Sequence, residues 1–135
     1  MGVTLEQIAA IRNGEIDCIE VGQIPHEIAQ RCGIKNPIVY LSRASLDHIR
    51  EGHPSITDFE LLLISEALRV ASIVKDVSKP YFFLCLRHPE TDEFFKLALK
   101  IAKGDADTWV RTFHRIKKRQ VASIARRGTL LRSHK

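Results

Sequence analysis

The 135-residue chain is expected to fold as α+β, with N-terminal helices packed on one face of a three- to four-stranded antiparallel sheet. Three observations predict this. The first half carries apolar residues at helical spacing between capping and breaking residues, whereas the second half alternates at period two. The connections in the second half are short turns, PETD at 89–92 and KGDAD at 103–107. Such short turns join antiparallel neighbours. A single domain over 1–135 accommodates this plan, with 1–21 read as an N-terminal extension and 120–135 as a basic tail.

Taken in order, the first helix is expected over 4–12. Thr4 caps it, Gln7 completes a capping box and Gly14 ends it. A short strand over 15–21 follows. A second helix, 25–31, opens with proline at its first position and closes at Gly33. Residues 37–41, containing IVYL, are β-rich. Ser42 then caps a helix over 43–51 whose apolar positions include Ala44, Leu46 and Ile49. Gly52 stops it, and His53-Pro54 forms a fixed elbow. Thr57 and Glu60 make another capping box for a helix running to Arg69. Segments 70–74, 81–87, 93–101 and 107–116 read as strands. Residues 117–126 fit either a final helix or a continuation of the last strand into the tail.

The alternation in 93–101 assigns its faces. Phe95, Leu97, Leu99 and Ile101 should be buried against the helices, and Phe94, Lys96, Ala98 and Lys100 should lie opposite. One helical layer leaves that second face available for a ligand.

With 44% hydrophobic and 7% aromatic residues the composition is that of a globular domain. No apolar run is long enough to cross a bilayer, and the first residues, MGVTLEQIAAIRNGEID, do not read as a secretory leader. Cys18, Cys32 and Cys85 are odd in number and far apart, so reduced thiols and a cytoplasmic location are expected. Delivery by phage, or export, stays open. Gly-rich phosphate loops, GxSxG and HExxH are all missing. His48 and His53 lack the further ligands that a zinc site needs, so neither metal nor cofactor is expected.

Charge is the strongest functional indication. The net charge is +5, but nine Lys/Arg face fourteen Asp/Glu in 1–94, and twelve face two in 95–135. A concentrated basic segment is the footprint of a phosphate-backbone binder. A solvated basic face is the alternative.

The ordered series IVYLSRASLDHIREGHP, an acidic capped helix, YFFLCLRH, a turn, FFKLALKIA and WVRTFHRIKK resembles the phage-associated branch of the barnase–EndoU–colicin–RelE-like nuclease superfamily. The likeness runs from roughly residue 22 to residue 119 and lies in the order of elements rather than in any single motif. It implies helices on one side of an antiparallel sheet and metal-independent cleavage of RNA, with single-stranded RNA or tRNA as the expected substrate. The 2′-hydroxyl would attack the adjacent phosphate and leave a cyclic phosphate. It also implies a toxin or phage effector, with an acidic inhibitor protein as partner.

That chemistry needs a base, an acid and a stabiliser for charge on phosphorus. Histidine suits the first two roles. His53, in the elbow where the resembling family also has histidine, is the first candidate, and a helix C-terminus would favour its charged form. His114 is the second, sharing a strand face with Thr112. Thr112, Lys96 and Arg111 are expected to stabilise phosphate. Lys100, Arg115, Lys117, Lys118, Arg119, Arg126 and Arg127, with Arg132, are expected to contact the nucleic-acid backbone.

One conflict stands in the last strand. In a regular strand Arg111 and Arg115 lie opposite Thr112 and His114, on the face of Trp109 and Phe113. Either a bulge rotates part of the strand, or only one set meets RNA. Burial of Trp109 and Phe113 is the favoured arrangement, with base stacking by both as the alternative. The rival functions are a non-catalytic nucleic-acid-binding module on the same fold and an interaction domain that self-associates through its charge asymmetry. Oligomeric state is open.

Overall fold

Local chemistry sets the helix starts in the computed structural model, which describes residues 2–135. Thr4 Oγ1 accepts from Gln7 N–H at 3.2 Å while Gln7 Oε1 accepts from Thr4 N–H at 2.9 Å. This closed capping box begins α1 (Leu5–Arg12), which is followed by β1 (Cys18–Gln23), α2 (His26–Arg31) and β2 (Ile38–Ser42). Ser42 Oγ accepts from Ser45 N–H at 3.1 Å and starts α3 (Arg43–Gly52). Thr57 and Glu60 repeat the capping box. The helix expected after them is broken in two, α4 (Asp58–Leu61) and α5 (Leu63–Val70). At the break, Leu62 N–H bonds to Phe59 O, three residues back, and this tighter turn interrupts the α ladder.

The chain continues through β3 (Ser72–Lys75), β4 (Tyr81–Arg87), β5 (Phe94–Lys100) and β6 (Thr108–Ile116), then α6 (Lys118–Arg127) and β7 (Thr129–Arg132). The expected three- to four-stranded antiparallel sheet is corrected. All seven strands form one mixed sheet, in the order β1-β2-β6-β5-β4-β3-β7. The β3–β4–β5–β6 part is the anticipated antiparallel meander. To it are added an N-terminal pair, with β2 parallel to β6 through Val39↔Thr108 and Tyr40↔Trp109, and β7 antiparallel to β3. The strand character of 15–21 and 37–41 is legible locally, but their joining to the meander is not, because parallel and terminal pairings depend on partners remote in sequence.

The helices are not one N-terminal layer either. The main core joins Ile8 and Ile11 of α1, Leu46 and Ile49 of α3, Ile64 and Leu68 of α5, and the inward side chains of the sheet. Phe95, Leu97, Leu99 and Ile101 face it as expected, and Phe95 stacks on Phe113 with centroids 5.3 Å apart. Helix α6 meets the opposite face: Ile124 lines a cavity there with Phe83 and Lys96. Val74, Cys85 and Ala98 are buried on this side without joining the main core. The region read as an extension packs inward through Val3, Ile8, Ile11, Ile19 and Val21. The region read as a tail forms most of α6 and all of β7.

Arg132, expected at the nucleic acid, turns inward instead. Its guanidinium donates to Ala71 O at 2.8 Å, Leu68 O at 3.1 Å and Ala67 O at 3.2 Å. It thereby caps the carbonyl end of α5, where Ala67 O also accepts from Ala71 N–H. Gly128 lets α6 turn onto the sheet edge. A Cβ there would collide with Val74 Cγ1 and lie 2.6 Å from the Lys75 carbonyl oxygen. Gly128→Ala is therefore expected to destabilise the fold by about 1–3 kcal/mol through overpacking. The check is urea unfolding; an unchanged midpoint would refute so close an approach. Among the described residues no helix is long and apolar enough to cross a membrane.

Candidate active site

Strand β2 pairs with β6 over only two residues before the chain enters α3. Helix α3 then packs beside β6, where Ser45 Oγ donates to Val110 O at 2.6 Å. At the far end of α3, His53 N–H donates to Ile49 O at 2.8 Å, and the His53-Pro54 elbow carries the chain away. This path brings His53 onto His114. The two imidazoles stack with centroids 4.2 Å apart and planes 12° from parallel.

Lys96 stands opposite His114 in the β5–β6 register, with Nζ 5.0 Å from the Phe83 ring centroid. Burial lowers the pKa of His53, and the neighbouring His114, His48 and Lys96 lower it further. Burial also lowers that of His114, with Lys96 adding to the effect and the Arg115 carbonyl opposing it. His114 Nδ1 lies 2.9 Å from that carbonyl oxygen. Because a carbonyl only accepts, Nδ1 carries the proton, which leaves Nε2 of the neutral ring as a base.

A bulge resolves the conflict in the last strand. Ala98 pairs with Thr112 and Leu99 with Val110, so Arg111 is the extra residue. Beyond it the faces are re-phased. Phe113 is buried in the core as expected. Trp109, expected to be buried beside it, instead pairs with Lys100 and contacts the Tyr40 ring at 5.4 Å. Arg111 reaches over the Tyr81 ring, 4.9 Å from its centroid, and Tyr81 itself opposes Lys100. His114, Lys96, Thr112, Lys100 and Arg111 thus share the face away from the main core.

Two candidates behave differently from expectation. Thr112 Oγ1 is sealed from solvent and has no hydrogen-bond partner, so it meets a phosphate only if its cover moves. Arg115, expected at the nucleic-acid backbone, is occupied by the protein. It pairs with Glu60, with Glu93 at 2.9 Å and with Ser55 Oγ at 3.3 Å, and lies over the Phe95 ring. Burial would raise the Glu60 pKa, but the Thr57 backbone N–H and Arg115 bring it below the usual carboxylate value. Arg115 is a clamp on the segment after the elbow, and its presence there follows from which acids the fold brings near.

Among the described residues, Lys96, Lys100, Arg111, Lys117, Lys118, Arg119, Arg126 and Arg127 make no ion pair with a carboxylate. Lys117, Lys118 and Arg119 are exposed where β6 passes into α6, and Arg126 and Arg127 are exposed at its other end. Sequence reasoning missed Tyr40, Tyr81 and Phe83 as site neighbours, and used His48 only in weighing a metal. Cys85, on the same face, has its thiol pushed up to about 11 by burial and is therefore a poor nucleophile at neutral pH. Among the described residues no group of three or more His, Cys, Asp or Glu is arranged to hold a metal ion. No protein-family model, curated protein or solved structure matches the chain.

Proposed function

We propose that this chain is a metal-independent endoribonuclease with the chemistry of the barnase–EndoU–colicin–RelE-like nucleases. The observation that carries the reading is the His53–His114 stack beside Lys96. Two neighbouring imidazoles next to a cation supply the base, the acid and the positive charge that attack by a 2′-hydroxyl requires.

In this mechanism His114 Nε2 takes the 2′-hydroxyl proton. The 2′-oxygen bonds to phosphorus, the bond from phosphorus to the 5′-oxygen breaks, and protonated His53 gives its proton to the departing oxygen. Lys96 balances the charge that builds on the non-bridging oxygens. The products are a 2′,3′-cyclic phosphate and a 5′-hydroxyl. The rings touch in the free protein, so the phosphate enters by parting them. His53 yields, because it sits on an elbow while His114 is held in a strand. Unpaired Lys117, Lys118, Arg119, Arg126 and Arg127 add sequence-independent attraction that weakens with salt.

The test is incubation of mixed single-stranded RNA and tRNA with the protein in EDTA, with end-group analysis of the fragments. Cyclic-phosphate ends, with the all-DNA counterpart intact, are expected. RNA that is bound but uncut would leave a nucleic-acid-binding module, and fragments that need added metal would refute the mechanism.

A further inference from the structure

The histidine pair occupies only one end of the open face. At the other end the register sets four residues in one row across four adjacent strands. Tyr40 of β2 pairs with Trp109 of β6, Trp109 with Lys100 of β5, and Lys100 with Tyr81 of β4. The Tyr40 and Trp109 rings are in contact, and the Arg111 guanidinium lies over Tyr81. All three rings are partly exposed, and Lys100 and Arg111 are exposed. Along β5 the row lies four residues from Lys96, a separation of about 13 Å at strand rise.

Aromatic rings on an outer sheet face ordinarily gain by packing across strands, and Tyr40 with Trp109 does so. That gain does not account for two cations, neither paired to a carboxylate among the described residues, interleaved with three rings. Flat apolar faces beside fixed positive charge suit the two parts of a nucleotide, base and phosphate. A duplex keeps its bases stacked inside and offers such rings little, whereas a single strand can lay its bases on them.

We propose that the Tyr40–Trp109–Lys100–Tyr81 row, with Arg111, is a stacking platform for the bases of a single strand, a few nucleotides from the phosphate held at His53 and His114. The proposal rests on reading this face as that of the ribonuclease, and it adds the residues that select unpaired strands. The bulge at Arg111 builds the platform, because it turns Trp109 outward while Phe113 stays in the core.

Trp109 is the only tryptophan, so its emission reports directly on the platform. Wild-type protein at low salt is titrated with a short single-stranded oligodeoxynucleotide. This DNA lacks the 2′-hydroxyl and cannot be cleaved by the proposed route. Binding is followed in parallel by anisotropy of an end-labelled copy. Saturable quenching of Trp109 that tracks the anisotropy is expected, with Tyr40→Ala and Tyr81→Ala each weakening binding about ten-fold. A duplex of the same length should bind more weakly and leave Trp109 unquenched. Binding that saturates with Trp109 emission unchanged, equal response to duplex, or no binding would overturn the platform. The wild-type titration decides even if a tyrosine variant misfolds. Quenching by DNA without any RNA cleavage would remove the ribonuclease and keep the platform; cleavage with a silent Trp109 would do the reverse.

Discussion

Replacing His114 with alanine is expected to lower turnover of single-stranded RNA by about 100- to 10,000-fold, the usual contribution of a positioned acid or base. Binding of the DNA counterpart should remain. His53→Ala should produce a similar loss, and the double variant little more, because the two act as one unit. The pH profile supplies a sharper check. Burial holds both histidines below 6.5, with Lys96 adding to the effect on each. The active free enzyme carries one proton on the pair, so kcat/KM should peak below pH 6.5. A bound phosphate favours the protonated rings, so the kcat profile should lie at higher pH than that of kcat/KM. Lys96→Ala should shift the kcat/KM profile upward in pH while lowering its height. A kcat/KM optimum above 6.5, or one that ignores Lys96, would contradict this assignment.

The same groups link stability to pH. Their folded pKa values lie below the unfolded value, so the unfolded chain takes up protons first on acidification. Their contribution is intact above 6.5, is lost as pH falls through the window between unfolded and folded pKa values, and should be reduced in His53→Ala.

Arg115→Ala is expected to cost about 1–3 kcal/mol of stability, because it removes the cation from Glu60, whose side chain is only 16% exposed and keeps only its bond from Thr57 N–H. It should also lower kcat more than it changes KM. The Arg115 side chain bonds to neither histidine ring, but it ties Ser55, two residues past His53, to Glu60 and Glu93. Without it the elbow that presents His53 is freer, and proper alignment on His114 becomes rarer. Arg115→Lys should restore part of the stability and little of the rate, since a lysine lacks the planar fork that reaches several acceptors at once. Urea unfolding and steady-state kinetics, at a temperature where each variant is folded, separate the two effects. An unchanged kcat in Arg115→Ala would end its role as a positioning residue.

What could be read in the chain follows from the range of the interactions involved. Capping at Thr4, Ser42 and Thr57 spans three residues, so it is local and legible. The break at Leu62 was missed, because nothing in the composition of 57–69 distinguishes a tight turn from a continuous helix. The core face of β5 was legible because alternation is set by the pleat. The faces of β6 were not, because the bulge at Arg111 is visible only once β5 supplies a register. Residues that the strict alternation set apart, Arg111 from Thr112 and Trp109 from Phe113, were therefore regrouped.

By itself the sequence determined the starts of α1, α3 and α4, the His53-Pro54 elbow, the inward face of β5 and the segregation of positive charge into the last third. Each depends on bonds or patterns within a few residues. Only the tertiary structure decided that His53 meets His114 with Lys96 opposite, that Arg115 pairs with Glu60 and Glu93, and that β1, β2 and β7 extend the sheet to seven strands. These depend on pairings between segments remote in the chain, and a side chain's partners there are set by register and packing rather than by its neighbours in sequence.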